Sequence, residues 1–360
     1  TTTLDRQRPT EEGYDMQSEF AWIEAIAPDL VGVVTKRYQI LQYINWLAPV
    51  GRRTLADQMK TSERVLRTET DFLRQLGLIE TSKSGMILTG KGLDVFKGLE
   101  TLMNQLLGFK EDEKRLAAKL GIDHCLIVNG DADQSVRVLD EMGKLLDTTM
   151  QVLLPAGRLT VAVMGGSTMA RVAGQLTYKL SAGRELTFVP ARGGVGEAVA
   201  IQANSVAASM AEATDSRFKV LYIPENVSEQ TYQPLLKEPA VQEVLQMIDN
   251  AQVVIHSIGD ALVMAKRRAM TSDALKKLQA QHAVSETFGT FFNAQGEVIY
   301  KIPRIGLTIP DLDHIPYVFA VAGGASKGPA IAAYMHSAPA RTWLITDVGA
   351  ANSILTGETR

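Results

Sequence analysis

Three glycine-rich segments concentrate the residue types that could hold an anion. Gly165-Gly166-Ser167-Thr168 follows the apolar run Leu159–Met164. Arg192-Gly193-Gly194-Val195-Gly196 follows Leu186–Ala191. Ala322-Gly323-Gly324-Ala325-Ser326-Lys327-Gly328 follows Tyr317–Val321. Each puts glycine where a strand hands over to a helix, so the backbone can come close to a ligand. Together Gly165, Gly166, Ser167, Thr168, Arg192, Ser326 and Lys327 offer backbone N–H groups, hydroxyls and positive charge, the donors that phosphate oxygens accept from. One glycine turn alone would say little, since such turns are common at strand–helix junctions. The argument is that three coincide. Gly-x-x-x-x-Gly-Lys-Ser/Thr is absent, and Gly194-Val195-Gly196 lacks the third glycine of the dinucleotide fingerprint, so neither a P-loop nucleoside triphosphatase nor nicotinamide binding is expected.

Other candidate groups carry less. Asp260, in Ile258-Gly259-Asp260-Ala261, stands at another strand end, where a carboxylate can be a catalytic base, a helix cap or a partner for a sugar hydroxyl. The cap or hydroxyl reading is preferred. Asp131, Asp133 and Ser135 resemble the start of a calcium loop, but Val136 stands where glycine is needed. The five histidines have no metal-ligand spacing, and His256 in an apolar strand reads as a core residue. The single cysteine, Cys125, excludes an intramolecular disulfide and a multi-cysteine zinc site, and its apolar run suggests a buried thiol. No metal and no cofactor are expected.

A second kind of chemistry lies nearer the N-terminus. The chain carries a formal charge of -3, yet residues 36–97 hold 11 basic and 6 acidic groups. A local basic excess attracts phosphate polyanions. Within that block Ile40, Leu41, Ile44 and Leu47 share a helical face, and Pro49-Val50-Gly51 ends it. A short helix follows over Thr54–Met59, then a turn at Lys60-Thr61, then a second helix capped by Ser62 and running to Leu76. Val65, Leu66, Phe72, Leu73 and Leu76 form its expected core stripe, while Arg64, Arg67, Thr68, Asp71 and Arg74 form the other face. Leu78–Thr89 reads as two short strands around a Lys-Ser-Gly tip. Helix, helix, turn, helix and wing in this order predict a winged helix-turn-helix, with Arg53, Thr54, Ser62, Arg64, Arg67, Thr68, Arg74 and Lys83 as candidate DNA contacts.

Elements that position the glycine loops can be read from about residue 122 onward. Strands are expected at Cys125–Val128, Leu159–Met164, Leu186–Ala191, Lys219–Ile223, Val253–Ser257, Tyr317–Val321 and Thr342–Ile345. Helices are expected between them, at Ser135–Met150, Thr168–Leu180, Val195–Thr214 and Ala240–Asn250. This alternation predicts an α/β fold, a doubly wound Rossmann-like sheet with ligands at the strands' carboxyl ends. The expected organisation is an N-terminal extension at 1–29, in which Pro28 interrupts the apolar segment Phe20–Val34. A DNA-binding domain at 30–90, a linker helix at 91–121 and an effector-binding and oligomerisation domain at 122–360 follow. Apolar residues are 46% and charged residues 21% of 360, values that support a sizeable core and argue against bulk disorder. No apolar run spans a bilayer and the N-terminus lacks a signal-peptide layout, so no membrane partner and a cytoplasmic location are expected.

The winged domain and the loops Gly165-Gly166-Ser167-Thr168, Arg192-Gly193-Gly194, Ile258-Gly259-Asp260 and Gly323-Gly324-Ala325-Ser326-Lys327 resemble the SorC family of bacterial transcription regulators over nearly all of residues 30–350. That resemblance implies a DNA-binding repressor of a glycolytic operon, not an enzyme, controlled by fructose 1,6-bisphosphate. It implies an effector domain similar to sugar-phosphate isomerases and deaminases, and a homo-oligomer on operator DNA. Carried onto this chain, Gly166, Ser167, Thr168, Arg192, Ser326 and Lys327 would hold one phosphate. Arg267, in Lys266-Arg267-Arg268, would meet the other, and Glu286 would bond a sugar hydroxyl. Two other readings stay open: an active sugar-phosphate isomerase or deaminase with an appended helical domain, and a nucleic-acid binder whose second domain is vestigial.

Overall fold

The computed structural model describes residues 28–59, 61–106, 109–193, 198–223, 229–302 and 305–357. The expected N-terminal extension as far as residue 27, Lys60 of the turn, and Gly194, Val195 and Gly196 of the second glycine loop lie outside the described residues. The chain forms two compact units, divided between Phe109 and Lys110.

The first unit contains α1 (Pro28–Leu47), α2 (Arg52–Gln58), α3 (Glu63–Gln75), β1 (Ile79–Ser82), β2 (Gly85–Leu88) and α4 (Gly90–Leu106). Pro28 is the first described residue of α1, a helix end being where proline is tolerated, and the part of the Phe20–Val34 segment before it lies outside the described residues. The boundary expected at residue 30 therefore falls inside a helix. Ile40, Leu41 and Ile44 pack with Leu55, Leu66, Leu73, Ile79 and Met86 in one core. Ser62 caps α3 by accepting the Val65 N–H at 3.3 Å. Gly77, at φ 70°, closes the same helix: the Leu78 N–H donates to the Leu73 carbonyl at 3.0 Å. β1 and β2 form an antiparallel hairpin with Lys83-Ser84 at its tip, and Val50 pairs with Met86 beside it.

Over the expected linker helix at 91–121 the described residues are helical on both sides of residues 107 and 108, which lie outside the described residues. α4 buries Phe96 and Met103 in the first core, where Phe96 stacks on Tyr38 at 5.2 Å. α5 (Phe109–Leu120) buries Leu116 and Leu120, and from Lys110 onward it belongs to the second unit.

The second unit continues with β3 (His124–Val128), α6 (Arg137–Leu153), β4 (Gly157–Val163), α7 (Ser167–Ala173), β5 (Arg184–Pro190), α8 (Ala203–Ala213) and β6 (Arg217–Phe218). Then come α9 (Glu229–Lys237), α10 (Pro239–Asp249), β7 (Val253–His256), β8 (Gly259–Asp260), α11 (Ala261–Arg267) and α12 (Ser272–Ala280). It ends with β9 (Ala283–Thr287), β10 (Thr290–Asn293), β11 (Val298–Lys301), β12 (Tyr317–Val321), α13 (Gly328–Met335), β13 (Trp343–Asp347) and α14 (Val348–Thr356).

Seven strands form a parallel sheet in the order β3-β13-β12-β7-β4-β5-β6. From β4 the chain runs outward through β5 and β6, then returns to β7 on the other side of β4. The crevice at the carboxyl ends of β4 and β7 is therefore the topological switch point, where sheets of this kind hold ligands. β6 ends at Phe218, short of the strand expected at Lys219–Ile223. Leu221 and Ile223 are buried there without a strand, and the Asn204 side chain takes both the Leu221 N–H, at 2.9 Å, and its carbonyl, at 3.1 Å. The helix expected over Thr168–Leu180 stops at Ala173, and a separate turn of 3-10 helix covers Tyr178–Ser181. Thr177, between them, gives its N–H and hydroxyl to buried Asp147. The helix expected over Val195–Thr214 is described only as a 3-10 turn at Val199–Ile201 followed by α8.

The sequence reading placed no strand between residues 259 and 301. The structure has a four-stranded antiparallel sheet there, in the order β11-β10-β9-β8. Phe288 and Gly289, at φ 51° and 72°, make the turn between β9 and β10. Positive φ at both central residues suits the twist of a two-residue hairpin.

Candidate functional site

All ten residues proposed for effector binding line one cavity of about 280 Å³ at the switch point. Gly165 and Gly166 leave β4 and enter α7. A Cβ on Gly165 would lie 2.5 Å from the Ile201 carbonyl, and Gly166 has φ 127°, so both positions require glycine. Ser167 and Thr168 open α7, the first exposed and the second buried. Arg192 follows β5 and is 4% exposed; its loop is fastened by the Gly193 N–H to the Ile305 carbonyl at 3.2 Å.

On the far side of β7, the β8–β9 pairing sets Gly259 opposite Glu286 and Asp260 opposite Ser285. This second sheet is what brings Asp260 and Glu286 together, although 26 residues separate them in the sequence. Asp260 caps α11 by accepting the Val263 N–H at 2.8 Å. The α11 C-terminus carries Arg267 and Arg268, where the helix dipole favours positive charge. Both arginines line the cavity. Arg268 Nη1 pairs with Glu286 Oε1 at 3.0 Å, and the same oxygen accepts the Gly289 N–H at 2.7 Å. Phe288, in the left-handed conformation, also lines the cavity and packs its ring against buried His256 at 4.9 Å.

The loop after β12 differs from expectation. Its N–H groups do not converge on the cavity. Gly324 donates to Asp347 Oδ2 at 2.8 Å, Ala325 to Asp131 Oδ1 at 3.2 Å and Ser326 to Asp133 Oδ2 at 2.7 Å. Carboxylates from the ends of β3 and β13 hold this loop from outside. What it presents to the cavity is Ser326 and Lys327, and the Lys327 ammonium donates to Thr168 Oγ1 at 3.4 Å. Burial depresses the Lys327 pKa; Asp133 and Asp347 oppose that shift and Arg267 reinforces it.

The groups set aside from the sequence find structural places. Burial lowers the His256 pKa to about 4, against a backbone contact with Ser257, and its Nε2 lies 3.3 Å from the Tyr334 hydroxyl. Burial, then the charge of Glu113, pushes the Cys125 thiol far above its usual value. Among the described residues no group of three or more His, Cys, Asp or Glu could hold a metal ion. Sequence reasoning missed Arg268 as the partner of Glu286, and the aromatic wall at Phe288. The three basic residues in a row at Lys266-Arg267-Arg268 were the available signal for the first.

In the first unit Arg53, Thr54, Ser62, Arg64, Arg67, Thr68, Arg74 and Lys83 are all exposed. Only Leu66, Thr70 and Leu73 of α3 are buried; Val65, Phe72 and Leu76, expected in the core stripe, are 36–44% exposed. The buried stripe faces the core shared by α1, α2 and β1, and α1 meets α3 at its charged edge. Glu69 is gripped there by Lys36 and Arg37, each at 3.0 Å, and the Arg37 guanidinium covers the Phe72 ring at 3.9 Å. Burial works against the Glu69 carboxylate, but hydrogen bonds from Arg37 and Lys36 prevail and hold its pKa down. This clamp leaves the Arg64, Arg67 and Thr68 face of α3 open, as a helix entering a DNA groove requires.

The comparisons with known proteins agree with this division of labour. Residues 33–103 match the family described as "CggR N-terminal DNA binding domain", and residues 105–356 match "Putative sugar-binding domain". The central glycolytic genes regulator of Bacillus subtilis is 43% identical over 333 residues, covering 92% of this chain and 97% of that protein. The crystal structure of a SorC family regulator from Enterococcus faecalis is 51% identical, with a TM-score of 0.66, over 68% of this chain and 99% of that one. The full-length sorbitol operon regulator SorC from Klebsiella pneumoniae shares the fold over 96% of this chain and 100% of its own, at 13% identity and a TM-score of 0.59. With a DNA-binding unit followed by a sugar-binding α/β unit, the chain belongs to the SorC family of transcription regulators, close to the central glycolytic genes regulators.

Proposed function

We propose that this chain is a sequence-specific repressor of a glycolytic operon, released or retained on its operator by a sugar bisphosphate, with fructose 1,6-bisphosphate the favoured effector. The observation that carries this reading is the distribution of charge around one small cavity. Arg192 and Lys327 lie with the β4 loop, and Arg267 lies at the end of α11, where the next residue, Arg268, is paired with Glu286. Two cationic groups on separate elements reward a ligand with an anion at each end, and monophosphates bind more weakly. Each charge-assisted bond contributes about 1.5–3 kcal/mol. A volume of about 280 Å³ sits at the lower end of small-molecule sites, suited to a sugar phosphate. No further cofactor is part of this reading.

Operator sites for regulators of this kind are repeated, so a homo-oligomer presents paired DNA-reading units. The effector shifts DNA binding only by its differential affinity for two assemblies of the protein. An enzymatic role finds little support: Asp260 serves as a helix cap, and Glu286 is engaged by Arg268 and Gly289. No described helix is long and apolar enough to cross a membrane.

The test is a thermal-shift series with fructose 1,6-bisphosphate, fructose 6-phosphate, glucosamine 6-phosphate and NAD, on wild type and Arg267→Ala. At 100 times its dissociation constant an effector stabilises by about 2.7 kcal/mol. A large shift with the bisphosphate alone, reduced in Arg267→Ala, supports the reading. Uniform indifference to sugar phosphates rejects the sensor, and turnover of either monophosphate rejects the non-enzymatic assignment. Operator binding unchanged by saturating effector rejects the switch.

A further inference from the structure

Asp131 and Asp133 follow β3 at the carboxyl edge of the parallel sheet, and the sequence offered no use for them beyond an incomplete calcium loop. In the fold they reach the loop after β12. Ser326 gives both of its donors to Asp133: its N–H to Oδ2 at 2.7 Å, and its hydroxyl to Oδ1 at 2.9 Å. Two donors meeting two oxygens of one anion is the arrangement they would offer a phosphate. Asp133 also favours the charged form of the Lys327 ammonium, as a phosphate would. Ser326 and Lys327 line the cavity, and Asp133 is exposed outside it. Its seat is close: a Cβ on Gly324 would lie 2.5 Å from Asp133 Oδ1.

We propose that Asp133 is an internal competitor for the anionic ligand, occupying the Ser326 donors until a phosphate displaces it and thereby setting the affinity of the cavity. This rests on the reading of the cavity as a phosphate site. The loop does not depend on Asp133 alone. Asp347 and Asp131 separately hold the Gly324 and Ala325 N–H groups, so removing Asp133 frees Ser326 while its neighbours stay anchored. A ligand that must first displace an internal group binds with an affinity reduced by the fraction of chains in which that group is already released. A carboxylate that merely braced the loop would act in the opposite sense, because its loss would loosen the site and weaken binding.

Calorimetric titration of the full chain with fructose 1,6-bisphosphate, and separately with inorganic phosphate, distinguishes these. Wild type is compared with Asp133→Ala, which removes both acceptor oxygens, and with Asp133→Gly should the first variant fold poorly. The unliganded melting temperature is recorded for each. Competition predicts about five- to tenfold tighter bisphosphate binding in the variant, with an equal or lower melting temperature of the free protein. Unchanged or weaker binding in a folded variant, while wild type binds normally, overturns the competition and leaves the effector site standing. Absence of binding by wild type to either ligand overturns the phosphate site itself, and this inference with it.

Discussion

Arg268 Nη1 lies 3.0 Å from Glu286 Oε1, with the two side chains 5% and 4% exposed. A pair this deep is costly to break and cheaper to replace as a whole. Arg268→Ala strands the Glu286 charge in the cavity wall and is expected to destabilise the second unit by about 3–5 kcal/mol. Joint replacement by Arg268→Met and Glu286→Leu is expected to recover most of that stability while abolishing effector binding. Urea denaturation of Arg268→Met, Glu286→Leu and the double variant checks this; simple additivity of the single losses contradicts it.

Lys327 links two loops of the cavity and should give it a pH dependence. Its folded pKa is depressed, chiefly by burial, so in the alkaline range the unfolded chain holds this proton longer. Stability contributed by this group therefore rises with pH through that window, because the unfolded state binds more protons. Anion binding moves the other way, since the cation is lost as pH passes the folded value. Bisphosphate affinity is expected to fall between neutral and alkaline pH in wild type and to stay flat, and weaker at neutral pH, in Lys327→Met.

Asp347 titrates in a lower range. Burial raises its pKa to about 6, with Asp131 adding to the rise and the N–H groups of Ala350, Ala132 and Gly324 opposing it. A carboxyl whose folded pKa lies above its ordinary 3.8 binds its proton more tightly when folded, so its contribution is complete below that value and is lost as pH rises toward 6. Asp347→Asn is expected to remove this acidic-side component. Stability measured from pH 4 to 7 should show a shallower decline in the variant; parallel profiles would contradict the assignment.

The open face of α3 gives a separate prediction for DNA. Arg64 and Arg67 are exposed and face away from the Leu66 and Leu73 seam. Replacing either by alanine should leave the melting temperature nearly unchanged and weaken operator binding. Loss of a base contact costs about 1–3 kcal/mol and relaxes specificity at one position, whereas loss of a phosphate contact lowers the salt dependence by about one ion. Leu66→Ala is the contrasting control, expected to destabilise the fold by about 2–5 kcal/mol. Salt-dependent titrations with operator and unrelated DNA separate these outcomes.

Local chemistry made much of this legible in advance. Ser62 and Gly77 mark the ends of α3 because capping and left-handed backbone are properties of those residue types. The runs at Tyr317–Val321 and Leu159–Met164 read as strands because a sheet covered on both faces needs near-continuous apolar segments. Glycine at Gly165 and Gly166 was read as room for a ligand's approach; in the structure the Ile201 carbonyl packed against Gly165 and the φ of 127° at Gly166 are what require glycine there. The family resemblance then assigned Arg267 and Glu286 to the same cavity, to which spacing alone gave no guide.

Tertiary structure decided what depends on residues far apart in the chain. Short antiparallel strands such as β8 and β9 lack a long apolar run, so only their pairing revealed that Asp260 lies opposite Ser285, one position from Glu286. Whether Ser326 turned its donors to a ligand or to Asp133, 193 residues earlier and just after β3, depended on how β3 lay in the sheet. A hydrogen bond between distant segments leaves no trace in the local pattern of either. Sequence by itself therefore determined which segments could bind an anion or enter a groove. Strand order and loop contacts determined which donors face the cavity and which are already held.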